Sequence, residues 1–216
     1  MAKIYFLQPK LYYFINYRSG IVLEILKDKD LRVQLFGNAF QFSLEEDAIP
    51  KLIVDQKKVI YICLAPREKI PRGESLFVWP VKKRNDVLLM VSLNKSAKKQ
   101  EVIHTIHERG YNIISPREAL ALILKGISLN ASQLAHKAEE YGEKAIKLYI
   151  AGNRDARKYG MLCMEFIRRV IATVEYVSSL LTKANLVDKK LEELNNSIRK
   201  RVIKLKEKME RYITIE

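Results

Sequence analysis

His104 and His107 stand three positions apart with Glu101 and Glu108 close by, the most ligand-like spacing in this chain. On a helix an i, i+3 pair falls on one side, so two imidazoles and a carboxylate would be offered to a metal such as zinc. Zinc pairs on a single helix use an i, i+4 spacing, and a further ligand would have to come from elsewhere. The preferred reading is the polar side of a surface helix, and no metal or other cofactor is expected. The two cysteines offer no nucleophile either. Cys63 lies inside an apolar run and Cys163 on the apolar side of a helical pattern, where each behaves as a small core hydrophobe. So far apart, they make no disulfide framework, and a reducing interior suits them. The chain has no phosphate-cradling Gly-x-x-x-x-Gly-Lys loop, no Gly-x-Gly-x-x-Gly turn and no Gly-x-Ser-x-Gly elbow. With no convincing acid, base and nucleophile set, a nuclease or other metal-dependent enzyme ranks third among the readings, and the expectation leans away from an enzyme.

Charge is the one global clue. Lys and Arg number 39 against 25 Asp and Glu, a formal net charge of +14, beyond the ~2–8 typical of a well-behaved small domain. Surface cations attract phosphate polyanions and release their counterions, which gives sequence-independent, salt-sensitive binding. Three clusters carry that expectation: Lys82-Lys83-Arg84 in a loop, Lys98-Lys99 at a helix start, and Arg199-Lys200-Arg201 in the last helix. The charge is spread along the chain rather than gathered in a tail, as a lysine-rich thermophilic surface would also be. Tyr12-Tyr13-Phe14 and Tyr17 would stack on bases if exposed on a sheet, though such aromatics more often form half of a sheet core.

These residues need elements to position them. A chain of 216 residues with 48% hydrophobic content allows one large domain or two small ones with real cores. Alternation at Ile21, Leu23 and Ile25, at Leu31, Val33 and Leu35, and at Phe40, Phe42 and Leu44 predicts an antiparallel meander, with Gly37-Asn38 as a hairpin turn. Val59–Leu64, Leu76–Val81 and Val87–Leu93 read as strands covered on both faces. A helix from Ser96 to about Arg109 follows, with Val102, Ile103 and Ile106 inward and Gly110 past its end. After a short strand at Tyr111–Ile114, Ser115-Pro116-Arg117-Glu118 forms a capping box on a first turn that Pro pre-sets. That helix is expected to stop at Gly126, and strand–helix–strand–helix predicts a parallel pair with a crossover.

From Ser128 the pattern is helical throughout. Leu134, Ala138, Tyr141, Ala145 and Leu148 form one stripe. A break at Gly152-Asn153 leads to a second stripe of Ala156, Gly160, Cys163, Ile167, Ile171, Val174, Val177 and Leu181. Folding the two together about that turn sets Gly142 opposite Cys163, Ala145 opposite Gly160 and Tyr149 opposite Ala156. Glycine inside a helix costs ~1 kcal/mol relative to Ala, which close helix contact would offset. Beyond Leu186, Leu191, Leu194, Ile198, Val202, Leu205 and Met209 recur by 3 or 4 on a highly charged helix. Such a thin stripe needs cover, either from the hairpin of the same chain or from another chain, and its heptad-like spacing tilts the expectation slightly toward a second copy, a homodimeric coiled coil.

The stretch 134–181 holds a lysine-bearing first helix, an Ile-Ala-Gly-Asn turn, Ala156-Arg157-Lys158-Tyr159, and a second helix with Glu165, Arg168, Arg169 and Val174. In these features it resembles the helical hairpin of ESCRT-III-like proteins, including archaeal cell-division members, and also the first helices of HEPN domains. The likeness covers under a quarter of the chain, and residues 1–125 have no counterpart in the ESCRT-III-like core. The HEPN nuclease motif needs an Arg followed four to six residues on by His, and no His follows His136. The resemblance therefore implies a hairpin, and with it assembly, without assigning site residues.

The expected architecture is α+β. A domain of residues 1–126 carries a mixed sheet, an antiparallel meander plus the strand–helix–strand–helix unit. An all-α domain of residues 127–216 carries a hairpin and a long last helix. The expected function is non-enzymatic binding of nucleic acid, DNA or RNA, through distributed Lys and Arg. The alternative is a helical assembly or adaptor protein. A cytoplasmic location is expected, since no apolar run approaches the ~18–20 residues of a membrane span and Met1–Phe6 does not open a secretory signal.

Overall fold

A computed structural model of the chain describes residues 5–7, 22–26, 30–35, 38–44, 58–66, 86–94 and 99–212. Contacts divide it into two units, residues 1–126 with 183–186, and residues 127–182 with 187–216. The protein is α+β, and Lys82, Lys83, Arg84, Lys98, Leu76–Val81 and the aromatic cluster at 12–17 lie outside the described residues.

The first unit holds two sheets. Strands β2 (Val22–Ile25), β3 (Asp30–Leu35) and β4 (Asn38–Ser43) form an antiparallel meander. Its register aligns Leu23, Val33 and Phe40 in one row and Ile25, Leu31 and Phe42 in the next. Apolar cross-strand neighbours of this kind are the unit of sheet stabilisation. Asn38 pairs with Leu35 as the first residue of β4, so it belongs to the strand and not to the predicted turn.

The second sheet has the order β1-β6-β5-β7, from strands β1 (Tyr5–Leu7), β5 (Lys58–Pro66), β6 (Asp86–Asn94) and β7 (Asn112–Ile113). Every described ladder is antiparallel, which corrects the mixed sheet expected above. The predicted parallel pair does not form. β5 and β6 share a nine-residue ladder from Lys58↔Asn94 to Pro66↔Asp86, and β1 takes the other edge of β6. With both its edges used, β6 has none left for the two-residue β7, which pairs with β5 instead at Cys63↔Ile113. Cys63 and Ala65 are fully buried there, and burial pushes the Cys63 thiol up to about 12.

Helix α1 (Lys99–Glu108) buries Ile106. It ends in a Schellman turn, in which Gly110 N–H donates to His107 O at 2.8 Å and Tyr111 N–H to Ile106 O at 3.1 Å. Helix α2 (Pro116–Ile150) starts as predicted, with the Glu118 N–H donating to Ser115 Oγ at 3.1 Å. It does not stop at Gly126. Buried Leu120, Ile123, Leu124, Ile127, Ala131, Leu134, Ala135 and Ala138 make one unbroken stripe through that glycine. Continuous apolar burial outweighs the ~1 kcal/mol that a helical glycine loses relative to Ala. The boundary between the units thus falls inside a helix, where a loop was expected.

The second unit combines α2 from Ile127 with α3 (Ala156–Lys183) and α4 (Lys189–Tyr212). At the α2–α3 turn Gly152, at φ +67°, donates to Tyr149 O at 3.0 Å and Asn153 N–H donates to Leu148 O at 2.9 Å. A left-handed residue is required there, and glycine adopts that conformation without strain. The Asp155 N–H donates to Asn153 Oδ1 at 2.9 Å to open α3. Asp188 caps α4, its Oδ1 accepting from Leu191 N–H at 3.0 Å.

Gly142 is where the three helices meet. A Cβ there would lie 3.2 Å from Cys163 Sγ of α3, the opposition expected above, and 3.0 and 3.3 Å from Leu205 Cδ1 and Met209 Sδ of α4. Arg201 pairs with Glu139 and Arg199 with Glu175, so α4 runs parallel to α2 and antiparallel to α3. The stripe offered for pairing with a second copy is covered inside the chain. Leu191, Ile198, Val202 and Met209 are buried, and Leu194 and Leu205 half-buried, with no partner subunit present. Two neighbours in the same chain, parallel α2 and antiparallel α3, supply the cover that the stripe required. No helix among the described residues is long and apolar enough to cross a membrane.

Candidate nucleic-acid interface

Cations are useful to a polyanion only where nothing in the protein neutralises them. In the Arg199-Lys200-Arg201 cluster, Arg201 is held by Glu139 through two hydrogen bonds and Arg199 lies 3.7 Å from Glu175, leaving Lys200 exposed between them. Consecutive helical positions do not face one another, so the three do not converge. Arg201 lowers the Glu139 pKa by hydrogen bonding, and its own is raised by the same contact. Lys99 opens α1. His104 sits 3.2 Å from Glu108, and His104 and His107 are both exposed. Among the described residues no group of three or more His, Cys, Asp and Glu is arranged to hold a metal.

A different set of cations stands together. Arg154, Arg157, Lys158 and Arg168 are exposed on the outward side of α3 and its entry, opposite the buried stripe of Ala156, Gly160, Cys163, Ile167 and Val170. None makes an ion pair with a described residue. They edge a shallow groove of about 760 Å³ whose floor is Met161, Leu162 and Met164, with Met161 57% exposed. Glu165, the acidic residue of the groove, is bound to Arg169 of the next turn. At 1.5 Å rise per residue, Arg157 and Arg168 stand ~16 Å apart along the helix axis.

Ring contacts join the two arms of the hairpin behind this face. Tyr141 of α2 stacks between two rings of α3, Tyr159 at 6.1 Å and Phe166 at 5.5 Å between centroids. Lys144 Nζ lies 4.0 Å above the Tyr159 ring and Arg169 5.9 Å from Phe166, contacts that tie cations to aromatic faces. Arg157 and Lys158 occupy the first turn of α3, which carries no acidic residue. The helix dipole disfavours cations there by ~0.3–1 kcal/mol each. Helix stability therefore does not account for their position.

Sequence reading passed over this set because it took Ala156-Arg157-Lys158-Tyr159 only as hairpin material. The signal was present: 154, 157, 161 and 168 fall on one side at 100° per residue, away from the apolar stripe. The chain matches no known protein family, no characterised protein and no solved structure.

Proposed function

We propose that the protein binds nucleic acid through the outward face of α3, with Arg154, Arg157, Lys158 and Arg168 contacting phosphates. One observation carries this reading: four clustered, exposed cations without ionic partners among the described residues, two of them placed against the local helix dipole. The net charge of +14 supports it, since long-range attraction brings a polyanion to the surface. Contacts of this type position a nucleic acid without reading its sequence. The test is an anisotropy titration at low salt, comparing the wild type with Arg157→Glu/Arg168→Glu and with Arg199→Glu/Lys200→Glu. The first pair is expected to lower affinity for all sequences alike, and the second to leave it within about threefold. No detectable binding by the wild type ends the proposal.

A second reading, attachment to a protein partner, is favoured by the end of α2, where Tyr149 and Ile150 are 54% and 74% exposed. Adjacent large apolar side chains at the tip of a helical hairpin suit an assembly contact. Tyr149→Ser/Ile150→Ser would then lower the mass seen by sedimentation, and an unchanged mass removes this reading.

A further inference from the structure

From the composition of the α3 groove we infer that its ligand is single-stranded nucleic acid rather than duplex, an inference that rests on the phosphate-binding reading of that face. A duplex presents phosphates outward and keeps its base faces inside the stack. For such a ligand cations are sufficient, and an exposed apolar floor between them would have no partner. The groove has such a floor. Met161, Leu162 and Met164 lie between Arg157 and Lys158 at one end and Arg168 at the other, and Met161 is the most exposed of them. Thioethers are polarizable and adaptable, and they make favourable contacts with the faces and edges of aromatic rings. Unstacked bases offer such faces, whatever their identity, while their phosphates reach the flanking cations. Guanidinium planes add to this, because they pair with phosphates and stack on rings with the same group. Glu165 would repel a phosphate at the centre of the groove, but its charge is bound by Arg169. The alternation along α3 is thus cation, apolar, cation, which matches a strand whose backbone and bases alternate in the same way.

The same chemistry of cations around apolar side chains also suits an anionic membrane surface. Charge complementarity alone does not distinguish the two. The shape favours the strand, because cations and apolar side chains together line one concave groove, which a chain can enter and a broad membrane surface cannot.

The experiment uses the full chain and a labelled single strand of about 16 nucleotides, within the usual range of single-strand site sizes. Homopolymeric deoxythymidine and uridine strands serve as probes, with a duplex of mixed sequence at the same salt. Single strands are expected to bind at least about tenfold tighter than the duplex. Met161→Ser is expected to weaken single-strand binding about fivefold or more and to leave duplex binding unchanged. Because Met161 is exposed, its thermal unfolding should match the wild type, and Met161→Gln provides a second variant if it does not. Equal affinity for both forms with no effect of either variant overturns this inference while leaving the phosphate-binding reading standing. Absence of binding to every probe removes that reading as well. Displacement of the protein from single strands by vesicles of anionic phospholipid, with loss of vesicle binding in Met161→Ser, would assign the groove to a membrane and overturn the inference.

Discussion

Arg201 of α4 grips Glu139 of α2 with two hydrogen bonds, Nε to Oε1 at 3.1 Å and Nη2 to Oε2 at 2.6 Å. Three residues on, Gly142 meets Leu205, the next turn of α4. The ion pair therefore lies in the same register of α4 against α2, one turn from the contact at Gly142. Both side chains are partly exposed, and pairs of that kind contribute ~0.2–1 kcal/mol, with bidentate geometry toward the upper end. Glu139→Gln should lower stability by about that amount in urea unfolding monitored by circular dichroism. Its pH dependence has a definite sign. The Glu139 pKa is lowered in the folded protein, so the pair's contribution is complete above the ordinary carboxylate range. It is lost as pH falls through the lowered value. The gap between wild type and Glu139→Gln should close in acid, and a gap that widened there would contradict this account.

Gly142 tests how closely the helices approach. Alanine would gain ~1 kcal/mol of helix propensity, but its Cβ would meet three side-chain ends at 3.0–3.3 Å. Those ends belong to flexible Leu205 and Met209 and to Cys163, so Gly142→Ala should be near neutral. Gly142→Val has no such room and should lose ~1–3 kcal/mol through overpacking. Thermal unfolding of the two variants checks the contrast, and equal midpoints would mean the bundle is looser than described.

The legible parts of the fold were those in which local chemistry and burial point the same way. Ser115-Pro116-Arg117-Glu118 and Gly152-Asn153 are signals of a few residues, and the start of α2 and the turn into α3 formed where they predicted. Gly126 misled because its local preference conflicts with the apolar stripe running through it, and packing won. The order of β6, β5 and β7 was not readable, since periodicity reports which face is buried and not which edge is taken. The site escaped for a similar reason. Lys and Arg runs in sequence, such as Arg199-Lys200-Arg201, attract notice, but on a helix they diverge and find carboxylates. The cations that line one groove, Arg154, Arg157, Lys158 and Arg168, form no single run and span fourteen positions from first to last.

Those converging cations set the salt dependence of binding. Four phosphate contacts predict that log Kobs falls against log [salt] with a slope of about −2.8 to −3.6, from −0.7 to −0.9 per contact. Arg157→Gln and Arg168→Gln should each reduce the slope by about one. Arg201→Gln, which breaks the bundle's ion pair, should lower stability and leave the slope unchanged. A slope that does not respond to Arg157 or Arg168 places the phosphates elsewhere on the protein.

The two thiols should be silent in the folded state. Burial pushes Cys63 up to about 12 and Cys163 to about 11, so little thiolate exists at pH 8. Alkylation there should be slow for both and rise steeply in denaturant. Fast labelling of Cys163 in native buffer would show that α4 leaves the hairpin frequently.

Asn195 carries the last prediction. It occupies a fully buried position on α4 between Leu191 and Ile198, while Leu194 beside it is only half-buried. The stripe therefore runs through a polar residue that apolar counting passes over. Neither the Nδ2 nor the Oδ1 of Asn195 has a hydrogen-bond partner among the described residues. A buried amide left without partners loses ~1–3 kcal/mol of desolvation, and leucine has nearly the same size and suits the site's apolar neighbours. Asn195→Leu should therefore raise the thermal midpoint by several degrees. Asn195→Ala, which removes the amide but leaves a void, should gain less or lose stability. If Asn195→Leu instead lowers the midpoint, the amide makes bonds in solution. It would then serve as a register device of the kind a buried Asn provides in helical bundles.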